Sequence, residues 1–315
     1  MIKEDDLSLF KSLIKDNEKF ALISHRDPDG DNLGSLNAFS KALTNLGKDV
    51  KVICFDKIPY NLKFLSFGDN FTDQSKLDVD ILICLDCANY DRLGDVDYVF
   101  SRAKKTVNID HHMTNENYAD INMVKEGYSS TCELVYDIFE SLEIKIDEDM
   151  ATSILTGIST DTGRFLYGAT TAETLRKASD LVKFGAKIQE INLNVYQSKK
   201  FDAQLLQNEI LSDTRIIDDH VALSRVSLSQ LEKYKVDVSD IDNVINIFRD
   251  TDKIDISILI KEKATNDYKV SFRSKGEINV SEIAEKLGGG GHFNAAATRI
   301  EDTYDNVVKR ILDLL

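Results

Sequence analysis

Five short segments of this 315-residue chain gather residue types that can ligate metals or grip anions. The run HRDPDGDNLGS, residues 25–35, offers an imidazole, His25, and two carboxylates, Asp29 and Asp31, at spacings of four and two residues. Pro28 and Gly30 keep it off a regular helix, so one loop can turn several donors toward one point. Asp86 closes the apolar run ILICL, and a carboxylate there can bridge two cations through its two oxygens. In Asp110-His111-His112, one imidazole can ligate while its neighbour, facing another way, protonates a leaving oxygen or holds a phosphate. Asp110 can orient a ring from behind. Asp161 ends an apolar helical stretch within GISTDTGRF. Arg273 and Ser274 in SFRSKG, with Gly289, Gly290, Gly291 and His292 in LGGGGHFNAAAT, suit a pocket for an anion and a base, because consecutive glycines bare their backbone amides.

Each segment alone also reads as an ordinary turn, helix cap or loop. Their conjunction is harder to explain that way, since four of the five histidines, all but His220, fall inside them. Cys84 and Cys87 flank Asp86 in a C-x-x-C spacing, but a structural zinc needs four ligands and no second pair exists. A redox pair of the thioredoxin kind sits at a helix start, not in an apolar strand, so these thiols are read as packing. Mixed carboxylate and imidazole donors suit Mn²⁺, with Mg²⁺ or Co²⁺ accepted, and two such cations would activate a bridging water for attack on phosphorus.

The elements that must position these residues follow from periodicity. Near residues 20–24, 50–55, 81–85 and 106–109, short β-rich apolar runs alternate with helical stretches, the pattern of an α/β fold with a helix-covered parallel sheet. Ligands collect at the carboxyl ends of such strands, so His25, Asp86 and Asp110 should share one rim. Helices are expected over 131–142, 150–159 and 171–184. Three parts result: a catalytic domain with the metal site over 1–186, a helical connector over 187–208, and a smaller mixed-sheet α/β domain over 209–315, built on hairpins in RIIDDHVALSRV and in DISILIKEK with NDYKVSFRS.

Hydrophobic residues at 42% and charged residues at 30% describe folded globular domains. The formal net charge of -15 repels long duplex nucleic acid, while a short nucleotide in a local cationic pocket remains compatible with it. The four cysteines are read as buried thiols of a reducing compartment. An acidic amino terminus and short apolar runs give neither a signal region nor a membrane span, so a cytoplasmic protein is expected, with a homodimer left open.

Taken together, HRDPDGD, Asp86 at a strand end, Asp110-His111-His112, TDTG and GGGGH resemble the DHH phosphoesterase family with its DHH-associated C-terminal domain, over nearly the whole chain. Within it, length and spacing are similar to bacterial oligoribonucleases that also act as phosphatases on 3'-phosphoadenosine 5'-phosphate (pAp). The resemblance implies that His25, Asp29 and Asp86 hold one Mn²⁺ and that Asp31, Asp86, His111 and Asp161 hold a second. It implies a catalytic centre of His112, Asp86 and Asp110, with His112 on the scissile phosphate. Arg273, Ser274 and the stretch from Gly289 to His292 would grip a terminal nucleotide, with substrate held in a cleft between the domains. An alternative is a phosphodiesterase acting on cyclic di-AMP or a linear dinucleotide. Inorganic pyrophosphatase needs no base pocket, and a nucleotide sensor without turnover needs no water-activating ligand set.

Overall fold

The computed structural model describes residues 4–315 apart from Asp242, and the side chains of Ser239 and His292 lie outside the description. The chain divides into two compact units, the first ending at Ser198 and the second starting at Lys199.

The first unit opens on α1 (Glu4–Asp16) and then alternates through β1 (Lys19–Ser24), α2 (Gly30–Asn45), β2 (Asp49–Ile53), β3 (Phe71–Thr72), β4 (Ile81–Leu85), α3 (Asp97–Arg102), β5 (Lys105–Asp110) and β6 (Ile121–Val124). Four helices follow, α4 (Thr131–Ser141), α5 (Glu148–Asp161), α6 (Ala172–Lys183) and α7 (Ile188–Ile191), the last continuing into a π-helical turn (Asn192–Tyr196). The strands form one parallel sheet in the order β3-β2-β1-β4-β5-β6. At two and four residues, β3 and β6 are too short for apolar alternation to reveal them.

Successive side chains of β1 serve two cores. Phe20 and Leu22 pack with Leu36 and Phe39 of α2 and Phe139 of α4, whereas Ala21 and Ile23 face Leu82, Cys84, Leu93 and Val99. Burial on both faces explains why the strands read as unbroken apolar runs. The register pairs Ser24 with Leu85 and Leu85 with Ile109, so His25, Asp86 and Asp110 each stand one step beyond matched residues. Strand order reverses between β1 and β4, the position at which an open parallel sheet leaves a crevice for a ligand.

All four cysteines are free thiols, and Cys84, Cys87 and Cys132 are buried. Cys54 departs from the expectation of a buried set: it lies one residue past β2, where helix cover ends, and is partly exposed with its thiol toward the Asp56 carbonyl.

The second unit comprises α8 (Phe201–Ser212), β7 (Arg215–Ile217), β8 (Val221–Val226), α9 (Leu228–Tyr234), α10 (Val244–Arg249), β9 (Ile256–Ala264), β10 (Asp267–Ser274), α11 (Val280–Lys286), β11 (Gly290–His292), β12 (Ala295–Glu301) and α12 (Tyr304–Leu312). Its sheet runs β11-β12-β10-β9-β8-β7, antiparallel except for the β8–β9 pair, over a core that includes Ile258, Ile260, Val270, Phe272, Val307 and Ile311. Among the described residues no helix is long and apolar enough to cross a membrane.

Helices α2 and α5 make the closest helix contact of the first unit, and two glycines permit it. A Cβ on Gly34 would stand 2.5 Å from the Ser153 carbonyl oxygen, and one on Gly157 would stand 2.3 Å from Cys132 Sγ and 2.6 Å from Asp31 Oδ1. The approach matters because α2 carries Asp31 in its first turn and α5 carries Asp161 at its end. Gly34→Ala must therefore push two helix backbones apart, and we expect it to lower stability by about 1–3 kcal/mol despite alanine's better helix propensity. A urea midpoint equal to or above that of the parent chain would contradict this account of the packing.

Candidate metal centre

Every donor at the rim is placed by a helix start or a strand end. Asp29 is the N-cap of α2, its Oδ1 accepting from the backbone N–H groups of Asp31 (3.1 Å) and Asn32 (3.0 Å), which leaves Oδ2 toward His25. Asp31 is fully buried and spans to the start of α4, accepting from Thr131 N at 2.6 Å and Cys132 N at 2.8 Å with its two oxygens. Asp86 adopts φ 53°, a left-handed conformation that costs a non-glycine residue about 1–2 kcal/mol, and its N–H donates to the Ile109 carbonyl at 3.0 Å. Thr131 Oγ1 donates to Asp86 Oδ1 at 2.9 Å.

Asp86 sits between two histidine and carboxylate groups. Its Oδ2 lies 3.4 Å from His25 Nε2, which is in turn 3.7 Å from Asp29 Oδ2. Its Oδ1 lies 3.8 Å from His111 Nε2, which is 3.4 Å from Asp161 Oδ2. Donor atoms fall within 4.8 Å of one another in three sets: His25, Asp29 and Asp86; Asp31, His111 and Asp161; and Asp86, His111 and His112. The structure thus brings together all six residues suggested as metal ligands, with His112 beside them.

Crowding like charges at a buried rim has consequences. Burial and the Asp86 carboxylate hold Asp31 well above the usual carboxylate range, and burial, Asp31 and Asp86 do the same to Asp161. Crowding by neighbouring atoms and the Asp86 carboxylate raise Asp29 as well, although its side chain is 56% exposed. For Asp86, burial acts upward, but His25, His111 and His112 outweigh it and bring it down to about 2. Burial lowers His25, and the Asp86 and Asp29 carboxylates reverse this to leave it raised. The hydrogen bond that its Nδ1 donates to Asp110 lifts His112 to about 9, against burial. The donor set fits divalent cations. Four carboxylates converge without a Lys or Arg ion pair among the described residues, and the buried Nε2 of His111 finds no hydrogen-bond partner there.

In the second unit, Arg273 lies on β10 opposite Ala295, which on its other side pairs with His292, so Arg273 and His292 occupy one row across three strands. The His292 side chain is outside the described part. Ser274 Oγ donates to the Ile278 carbonyl at 2.7 Å and accepts from Asn294 Nδ2 at 3.0 Å. The glycine run is not a free loop but leads into an edge strand. Residues 290–292 form β11 against β12, and a Cβ on Gly289 would stand 2.2 Å from the Ala297 carbonyl oxygen, so close strand packing demands glycine there.

Comparison with known families matches residues 19–158 to the DHH family, N-terminal domain, and residues 218–315 to the DHHA1 domain. A "Bifunctional oligoribonuclease and PAP phosphatase NrnA" of Thermus thermophilus is 31% identical over 295 residues, covering 93% of this chain and 87% of that one. The chain belongs to the DHH family. An exopolyphosphatase-related protein from Bacteroides fragilis superimposes with a TM-score of 0.92 at 26% identity, covering 100% of this chain and 96% of that one. RecJ in complex with Mn²⁺ from Thermus thermophilus shares the fold alone, at a TM-score of 0.55 and 13% identity, over 98% of this chain and 53% of its own.

Sequence reasoning on this DHH chain overlooked the groups that hold the ligands. Arg26 O accepts from His25 Nδ1 at 2.7 Å, and Tyr128 O accepts from His111 Nδ1 at 3.2 Å. The start of α4 anchors Asp31 and Asp86 together. Backbone carbonyls leave no trace in residue type, whereas the Ser129-Ser130-Thr131 start of α4 was legible only as a cap.

Mutual repulsion gives a test that needs no substrate. Without divalent cations, Asp161→Asn takes a partly buried acid out of a crowded acidic cluster and should melt at or above the parent chain. With excess Mn²⁺ the parent should gain stability by about 2.7 kcal/mol at a hundredfold excess over Kd, and the variant distinctly less. Equal thermal shifts for the two proteins would show that Asp161 takes no part in holding a cation.

Proposed function

We propose that this chain hydrolyses short oligoribonucleotides and pAp to nucleoside monophosphates in a reaction dependent on divalent cations, Mn²⁺ foremost and Mg²⁺ or Co²⁺ as substitutes. In this reading His25, Asp29 and Asp86 hold one cation, and Asp31, Asp86, His111 and Asp161 hold the other. The observation that carries it is the placement of Asp86. A carboxylate 2% exposed, in a strained backbone conformation, presents one oxygen to the His25 side and the other to the His111 side. The relative named for oligoribonuclease and PAP phosphatase activities supports the substrate class.

When bound, two divalent cations supply Lewis-acid charge and a water activated near neutral pH. The chain's own groups do the rest. His112 is 31% exposed, carries a proton at neutral pH and has Nδ1 engaged with Asp110, so Nε2 is the atom that hands a proton to the leaving oxygen. Arg273, Ser274 and residues 289–292 bind the phosphate and base of the terminal nucleotide. In this reading the first unit, ending at Ser198, is catalytic and the second, from Lys199, binds the substrate, and the residues expected as a connector over 187–208 are shared between the two. A net charge of -15 favours short substrates over long duplexes, and the reaction belongs in the cytoplasm.

Asp86→Ala should lower kcat/KM on pAp in Mn²⁺ by about a thousandfold or more, roughly 4 kcal/mol of barrier, while circular dichroism shows an intact fold. Assays of pAp, a linear dinucleotide and cyclic di-AMP side by side fix the substrate class. Parent-like turnover by a folded Asp86→Ala protein would sink the reading, and preference for cyclic di-AMP would redirect it.

A further inference from the structure

The imidazole of His112 is aimed by a set of side chains that lies outside the ligand sets. Asp110 is fully buried at the end of β5, and among the described residues its ion-pair partner is His112. Its Oδ1 accepts from His112 Nδ1 at 2.7 Å and its Oδ2 accepts from Asn115 Nδ2 at 2.6 Å. The Asn115 amide is locked in that orientation, because its Oδ1 accepts from the Asn117 backbone N–H at 2.7 Å. The same Nδ2 donates to Asn108 Oδ1 at 2.7 Å. Asn108 is locked as well, its own Nδ2 donating to the Cys84 and Cys87 carbonyls at 3.3 and 3.2 Å and to the Tyr118 hydroxyl at 3.1 Å. Tyr118 donates in turn to the Cys87 carbonyl at 3.1 Å, and its ring packs against Tyr90 and Phe100.

A carboxylate with one neighbour can rotate until either oxygen meets it. A carboxylate gripped at both oxygens cannot. We infer that Asn115 is a positioning residue for the hydrolysis: by donating to Asp110 Oδ2 it fixes the carboxylate that holds His112 Nδ1, and so keeps His112 Nε2 directed at the leaving oxygen. This rests on the reading of His112 as proton donor. Asn115 is partly buried and belongs to none of the clustered donor sets, and its shortest bond carries its effect to the reaction through Asp110 and His112, while its bonds to Asn108 and, at 3.4 Å, to the Cys87 carbonyl hold the turn after β4. Replacing its amide by a carboxylate would set two acidic oxygens where a donor and an acceptor now lie 2.6 Å apart, which makes Asn115→Asp a harsher change than Asn115→Ala.

The test compares Asn115→Ala, Asn115→Asp and His112→Ala in the full chain, with pAp and Mn²⁺. The Asn115 variants should lose about 10- to 100-fold in kcat, Asn115→Asp the more, with KM, Mn²⁺ affinity by calorimetry and Tm close to the parent values. Proton NMR of the metal-free protein should show one sharp, hydrogen-bonded Nδ1–H signal from the His112 ring in the parent chain and a broadened or multiple signal in Asn115→Ala. Parent-like kcat in Asn115→Ala beside an inactive His112→Ala would overturn the positioning role while leaving His112 as proton donor. Full activity in His112→Ala would instead remove the reading beneath it. A kcat loss matched by equal losses of Mn²⁺ affinity and Tm would also overturn the inference, because it marks a merely structural residue.

Discussion

Four carboxylates, buried Asp31 and Asp86, half-buried Asp161 and exposed Asp29, are held close together at the rim of a parallel sheet, and several elements of the first unit keep them there against their mutual repulsion. Backbone N–H groups take the first share of that work. The start of α2 grips Asp29, and the start of α4 grips Asp31 with two short bonds, so the positive ends of two helices face the cluster. Covalent geometry takes another share, through the left-handed backbone of Asp86, and tight packing of α2 on α5 keeps Asp31 and Asp161 from separating. Local strain of this kind persists only where the surroundings over-determine it.

The imidazoles obey a common rule. His25, His111 and His112 are each pinned through Nδ1, by the Arg26 carbonyl, the Tyr128 carbonyl and the Asp110 carboxylate respectively, which leaves Nε2 as the working atom in all three. The partner then decides the chemistry. A carbonyl fixes the ring without adding charge, whereas the Asp110 carboxylate raises His112 to about 9 and keeps a proton on it at neutral pH. Two adjacent histidines at one rim are thereby set in different electrostatic surroundings by what stands behind them.

The fold was legible to the extent that burial writes itself into residue type. Apolar runs at β1, β4 and β5 announced a doubly covered sheet, and their shared end announced the rim, because a strand buried on both faces has no polar alternation to hide it. The six residues that the rim brings together were legible because His and Asp recur in a few short segments close to the ends of these elements. The supporting groups were not, since the carbonyls of Arg26 and Tyr128 and the amides of Thr131 and Cys132 depend on backbone direction, not on side-chain identity. The strand formed by residues 290–292 was hidden for a related reason. Glycine serves an exposed amide cradle and close strand pairing equally well, and only the β12 carbonyls of Ala297 and Ala295, 2.2 and 2.5 Å from would-be Cβ atoms on Gly289 and Gly291, reveal the pairing.

Charge also constrains how such a site can meet its substrate. Phosphate esters are anions, the chain carries -15, and the rim adds four clustered carboxylates, so without cations the centre repels the group it is proposed to bind. Two divalent cations would offset the four carboxylates in formal charge and leave His112 as the local positive group. Cation and phosphate would then favour each other's binding reciprocally, because each relieves an unfavourable charge that the other would otherwise face. Asp31 and Asp161 are raised in the cation-free protein by burial and by the neighbouring carboxylates, the direction that this imbalance dictates. A cation bound there would relieve it with fixed charge, at the point where the negative oxygens of a phosphate must come to rest.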